Sequence, residues 1–289
     1  MSVVSRLTAF GLLLALVFAG AAFAGSRIDV HPGKPSIEQT AERAMGAMDA
    51  DANAHGERMA PQAVRGLAVS DNGLTLELER RTAPQGKRFA LAFRIVDRRG
   101  ATVRDFDVEH TKRMHFIVVR RDMTGFQHLH PTENADGTWS LPVALPDAGS
   151  YRVFADFSVG EKPYTLADDL TVDGDVRSQA LPAPAGAVVV DGLRVSLTEG
   201  AAVAGRESEL AFTVTRAGKP VAIQSYLGAK GHLVALRRGD LAFLHVHPDE
   251  HRLQFMATFP TAGRYRLFLQ FKTADGRLHT AAFTQEVTR

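Results

Sequence analysis

The feature that most constrains this chain is an internal duplication. Residues 114–131 read MHFIVVRRDMTGFQHLHP, and residues 231–248 read GHLVALRRGDLAFLHVHP. In both, one histidine precedes an apolar run, a polar turn follows, and the stretch closes on His-x-His-Pro. The first histidine stands 13 residues before the second in each copy. The flanks repeat as well. Gly192-Leu193 answers Gly73-Leu74, and AGRYRLF at 262–268 answers AGSYRVF at 148–154. A repeat that carries its surroundings marks a folding unit present twice.

The unit reads as β. Residues 74–79 (LTLELE) and 89–95 (FALAFRI) alternate apolar and polar positions. Short apolar runs follow at 116–119, 126–129, 139–145, 151–157 and 165–172, with turn signals such as Pro84-Gln85-Gly86, Arg99-Gly100 and Asp136-Gly137 between them. Many short strands at this spacing mean a sandwich or a barrel. Asp147-Ala148-Gly149-Ser150-Tyr151 resembles the D-x-G-x-Y signature of immunoglobulin-like strand F, with Val153 where that signature has Cys. The fold class expected is all-β, a tandem of two immunoglobulin-like or cupredoxin-like β-sandwich domains. The second copy keeps Gly263 and Tyr265 and has Thr261 for the Asp. The strand aromatics Trp139, Phe154, Phe157, Phe268 and Phe271 are read as core.

The expected organisation follows. Arg6, the apolar residues 7–19 and Ala22-Phe23-Ala24 read as a secretory signal, residues 1–24, with A-x-A cleavage. Residues 25–72 form a linker in which 37–48 has the makings of a short helix capped by Ser36. Met45, Met48, His55 and Met59 fall in or near it; they are read as incidental, with copper binding as the alternative. The first domain spans 73–176, a Pro/Ala linker 177–187, and the second domain 188–289. No later stretch is long and apolar enough for a membrane span. The mature protein is therefore expected in a periplasm or outside the cell, without stable membrane insertion.

Composition narrows the chemistry. The 289 residues carry a formal charge of only +2, without a basic stripe, which argues against nucleic acid. There is no cysteine, so there is no disulfide, thiolate site or blue-copper centre. No G-x-S-x-G, phosphate loop or H-E-x-x-H occurs, and an enzyme is not expected.

The histidines carry what remains. A hairpin turning at Asp122-Met123 pairs residues whose numbers sum to 245, which sets His115 opposite His130 and Ile117 opposite His128; a slip of two residues sets His115 opposite His128 instead, and a one-residue bulge would send His115 to the other face. Opposed residues, and residues two apart, share a face of a sheet. His115, His128 and His130 then converge, and His232, His245 and His247 form the matching trio. Three imidazoles suit copper, zinc or nickel, and copper leads the divalent affinity order. His251, Asp249 and Glu250 near the second trio, and His110, Glu109 and Glu133 near the first, are further candidates. The alternative is structural: imidazoles that bond backbone carbonyls and pin the hairpin to a neighbouring loop. Arg120-Arg121 and Arg237-Arg238 are read as solvated turn residues.

The run KRMHFIVVRRDMTGFQHLHP…DGTWSLPVALPDAGSYRVFADF, residues 112–157, resembles a poorly characterised family of exported bacterial β-sandwich domains with an M-H…H-L-H-P motif. That family is often associated with heavy-metal or copper handling. The second copy matches more loosely, with Ala-Lys-Gly-His for Lys-Arg-Met-His. The resemblance implies a β-sandwich and a role in metal handling, with His115, His128, His130, His232, His245 and His247 as the matching residues. The function expected is an exported metal-binding protein, for copper or else zinc, with one His-rich site per domain. It would buffer or deliver the metal, alone or to an envelope protein. The other reading is an envelope interaction module with structural histidines.

Overall fold

The computed structural model describes residues 64–198, 202–244 and 246–289, and leaves the side chain of His247 undescribed. These residues belong to one of two units of the chain, Met59–Arg289. The expected signal, the helix at 37–48 and the group Met45, Met48, His55 and Met59 lie outside the described residues, as does His245. Among the described residues no helix is long and apolar enough to cross a membrane.

The first repeat forms β1 (Ser70–Asp71), β2 (Leu74–Leu78), β3 (Thr82–Ala83), β4 (Arg88–Val96), β5 (His115–Arg120), β6 (Gln127–Leu129), β7 (Thr132–Glu133), β8 (Trp139–Ala144), β9 (Gly149–Val159) and β10 (Lys162–Val172). Two five-stranded sheets result, in the orders β1-β2-β4-β8-β7 and β3-β10-β9-β5-β6. Every pairing is antiparallel except β3 with β10. This is the immunoglobulin-like arrangement of an A-B-E-D sheet facing a G-F-C sheet, and it decides between the two sandwich types expected. The phenol of Tyr151 donates to the Asp147 carbonyl at 2.9 Å, and that of Tyr265 to the Thr261 carbonyl at 2.9 Å. Both are tyrosine corners.

The second repeat forms β11 (Ala187–Val190), β12 (Leu193–Leu197), β13 (Ala202–Val203), β14 (Glu207–Arg216), β15 (Lys219–Pro220), β16 (Ile223–Gln224), β17 (Gly231–Arg237), β18 (Phe243–Leu244), β19 (His247–Pro248), β20 (Gln254–Thr258), β21 (Gly263–Thr273) and β22 (Leu278–Thr288). Its sheets run β11-β12-β14-β20-β19 and β13-β22-β21-β17-β18, with β13 parallel to β22.

Each sandwich has its own core. Phe93, Phe116, Trp139, Tyr151 and Phe157 are among the residues that fill the first, and Phe212, Phe255, Tyr265, Phe271 and Phe283 among those of the second. A third cluster lies between the repeats. Ile117, Val119, Met123, Phe154 and Ala167 pack there with Val234, Leu236, Leu241, Phe243 and Phe268. Side chains alternate along β5, so Phe116 and Val118 enter the sandwich while Ile117 and Val119 face the other repeat. β17 does the same with Leu233 and Ala235 against Val234 and Leu236. The outer faces of the two β5/β17-type sheets therefore bury each other, and β5 is buried along its whole length.

The contact is reciprocal. Phe126 stacks on Phe268 with ring centroids 4.0 Å apart, and its counterpart Phe243 meets Phe154 at 5.6 Å. Phe154 and Phe268 are thus buried, as expected, but between domains instead of inside them. The chain before β1 straps this seam. Arg65 accepts from the Phe243 N–H at 2.9 Å in the second repeat, and Gly66 donates to the Thr165 carbonyl at 3.0 Å in the first. Gly66 has φ +69, and a Cβ there would lie 2.8 Å from both Phe154 and Phe243. Only glycine fits at that crossing.

One expectation about the turns is corrected. Arg120 is not solvated: it is 3% exposed, and its guanidinium donates to Asp122 at 2.9 and 2.6 Å and to the carbonyls of Ala148 and Arg177. Burial would raise the Asp122 carboxyl, but Arg120, the Gln179 N–H and Thr124 outweigh it and hold the pKa at about 2. Arg121 does lie outside, paired with Asp169.

Because Phe154 points out of its own sandwich, its truncation tests whether the seam is a true core. Phe154→Ala is expected to lower unfolding free energy by about 3–5 kcal/mol, the cost of a large buried aromatic. Urea unfolding measures it. A loss within about 0.5 kcal/mol, as for a surface site, would contradict the packing described.

Candidate metal centre

The β5–β6 hairpin takes the first of the two registers expected. Phe116 pairs with Leu129, Ile117 with His128 and Val118 with Gln127. His115, His128 and His130 therefore fall on the face that meets the second repeat. His115 is 7% and His128 9% exposed, and His130 is half-buried. One ring nitrogen from each lies within 4.8 Å of the other two.

Hydrogen-bond partners assign the protons. His115 Nε2–H donates to the Glu109 carbonyl at 3.2 Å, which leaves a lone pair on Nδ1. His128 Nδ1–H donates to Gln270 Oε1 at 3.0 Å, which leaves a lone pair on Nε2. Those two lone-pair nitrogens stand 3.1 Å apart, and His130 Nε2 stands 3.3 Å from His115 Nδ1. A proton on His130 Nε2 can serve only one of them. The set fits a cation well: imidazole nitrogens about 2.0 Å from one tetrahedral ion stand about 3.3 Å apart. Metal-bound imidazoles also commonly donate their second N–H to a carbonyl, which fixes tautomer and ring orientation.

Burial and like neighbours favour the neutral form of His128, His130 and His232. Burial, then His115, His130 and His232, push His128 well below the usual imidazole value of 6.5. Burial, then His115 and Lys112, push His130 to about 3. Burial, with His110 and His115 beside it, brings His232 to about 4 despite its backbone hydrogen bond.

His232, expected in a second centre of its own, lies close to this group. It is the second residue of β17 in the second repeat, as His115 is the first of β5, and the seam brings the two together. Its ring centroid is 6.3 Å from that of His115, 6.1 Å from His128 and 5.3 Å from His110. Its Nε2–H donates to the Tyr226 carbonyl at 2.9 Å, repeating the bond of His115 to Glu109. His245 and the side chain of His247 lie outside the described residues. His251 is exposed, and Asp249 accepts the backbone N–H groups of His251 and Arg252. Glu133 is paired with Arg104 and Arg113.

A cavity of about 50 Å³ lies at the seam, lined in part by Glu109, His110, His115, His128, Asp156 and His232. Asp156 sits opposite His115 across β5 and β9 and accepts the Thr165 hydroxyl at 2.6 Å. Its counterpart Gln270 sits opposite His232 and donates to Thr280 at 3.2 Å. Sequence reasoning missed Asp156 and Gln270. The signal was their place two residues beyond the matching Phe154 and Phe268. His279 is also buried, but Asp191 and Thr273 occupy both its nitrogens, so it is structural.

The chain belongs to the family described as domain of unknown function DUF8832, present in two copies at residues 68–174 and 187–289. No curated protein matches the sequence. Among solved structures, a Salmonella alpha-2-macroglobulin reacted with methylamine is 14% identical with a TM-score of 0.28, covering 80% of this chain. This chain spans only 15% of that protein. The Escherichia coli adhesin FdeC is 16% identical with a TM-score of 0.27, covering 77% of this chain and 66% of its own. The Yersinia pseudotuberculosis adhesin InvE is 13% identical with a TM-score of 0.22, covering 73% and 58%. Likenesses this distant carry no function.

The neutral imidazoles make stability depend on pH. An unfolded histidine binds a proton below about 6.5, while folded His130 and His232 do so only near 3 and 4. Between those values the unfolded state holds more protons, so stability rises with pH. In metal-free protein, the melting temperature is expected to be level above pH 6.5 and to fall steadily from pH 6.5 to 4. A melting temperature constant over that window would show that these rings charge freely in the folded protein.

Proposed function

We propose that this is an exported, non-enzymatic protein that holds a divalent transition-metal ion at the seam between its repeats, and buffers or delivers it in the cell envelope. Copper is the first candidate and zinc the second. The observation that supports this most is the pair of inward lone pairs on His115 Nδ1 and His128 Nε2, 3.1 Å apart, with both outer nitrogens committed to carbonyl oxygens. Three neutral imidazoles suit Cu(II) and Zn(II), and copper binds such donors more tightly. Export rests on the signal-like residues 1–24. The non-enzymatic reading rests on the absence of any nucleophile motif in the sequence.

A second reading has one specific observation in its favour. His115 and His232 do bond the carbonyls of Glu109 and Tyr226, as loop-pinning residues would. That accounts for the outer nitrogens and leaves the inward convergence without a cause. It fits an envelope interaction module in which the histidines are structural.

Metal analysis separates the two. Protein lacking residues 1–24, dialysed against copper or zinc and freed of excess, is expected to retain about one equivalent per chain. The variant with His115, His128 and His130 all changed to Ala should retain almost none. Equal metal in both proteins would refute the proposal and favour structural histidines.

A further inference from the structure

We infer that His232 is the fourth ligand of this centre, so that a bound ion cross-links the two repeats. This rests on the metal reading above. Three imidazoles leave one position of a tetrahedral ion open, and what fills it decides what the site does. Water there makes an exchangeable or catalytic site. A fourth protein ligand makes a closed one.

Three observations point to His232. First, its free nitrogen is the right one. Nε2–H is committed to Tyr226, so Nδ1 carries the lone pair, as in His115. Among the described residues no hydrogen bond is made to that Nδ1. Second, its position is right. The ring is 7% exposed and lines the same cavity as His115 and His128. Centroids within the trio are 5.0 to 5.3 Å apart, and His232 stands 6.1 and 6.3 Å from His128 and His115, next to the trio but farther out than its members stand from one another, so its ring has to move inward to ligate. Third, among the described residues the other donors at the cavity are engaged or open to solvent. Glu109 accepts the Ser158 hydroxyl and Asp156 the Thr165 hydroxyl, while His110 is exposed.

The arrangement already joins the repeats without an ion. His128 of the first donates to Gln270 of the second at 3.0 Å. An ion held by His115, His128, His130 and His232 adds a second clasp beside it. Its binding then favours the docked repeats over any parted form, because it binds that form alone.

Cobalt(II) is a suitable probe, because its visible absorption reports coordination number and donor set. The test uses the chain without residues 1–24, as wild type, His232→Ala and His232→Gln. The glutamine keeps a donor for the Tyr226 carbonyl and guards against a folding defect, which circular dichroism checks. Wild type is expected to take one cobalt with the intense bands of a four-coordinate site that azide does not perturb. Both variants should still take one cobalt, at least about 10-fold more weakly, since even partners outside the ligand shell are worth that much. Their spectra should shift on adding azide, which enters the vacated position. Folded variants with wild-type affinity and spectrum, or a wild-type site that azide already enters, would overturn the assignment of His232 and leave the three-histidine site standing. A wild type that takes no cobalt, copper or zinc would overturn both.

Discussion

The structure depends on the mutual burial of two sheet faces. Each sandwich has a β5- or β17-type sheet whose outer side is apolar, and water would meet Ile117, Val119, Phe154, Val234, Leu236 and Phe268 if the repeats parted. Burial of such surface contributes about 25 cal/mol per Å², so the faces close on each other. The rim of the same faces carries histidines in place of aliphatic side chains. Docking of the apolar patch brings those rings together, and none of them has to drive the association.

Burial at this seam then sets the chemistry of the imidazoles. Burial penalises the charged forms of His128, His130 and His232, and neighbouring rings add to the penalty. Their outer N–H groups satisfy carbonyl oxygens of Glu109, Gln270 and Tyr226. These bonds fix the tautomers and turn the remaining lone pairs toward one another. The features that would make a histidine structural are thus the ones that prepare it as a ligand. The two readings differ only in whether something positive occupies the middle.

Much of the fold was legible in the sequence. The duplication and the period-two strands followed from the sequence pattern, the tyrosine corner from a resemblance to the strand-F signature, and the hairpin register only as one of two alternatives that put the three histidines on one face. The docking of the repeats was not read, although its trace is there. Phe154 and Phe157 are three apart on one strand and so point to opposite faces, yet both are bulky and apolar. The runs 116–119 and 233–236 lack polar alternation, the mark of strands covered on both sides. Taken together these signals call for a second layer, and the second layer brings His232 beside the first repeat's histidines. The contacts through Asp156 and Gln270 were harder to find, because single polar residues on a long strand give no local pattern.

The central claim is that the inward nitrogens of His115 and His128 carry lone pairs in the metal-free protein, because their outer nitrogens donate to carbonyl oxygens. Nitrogen-15 NMR of the histidine rings at pH 7, in chelated protein, reads this directly. The account predicts the Nε2–H tautomer for His115 and the Nδ1–H tautomer for His128. A proton on His115 Nδ1 or His128 Nε2, or an imidazolium at either, would contradict it.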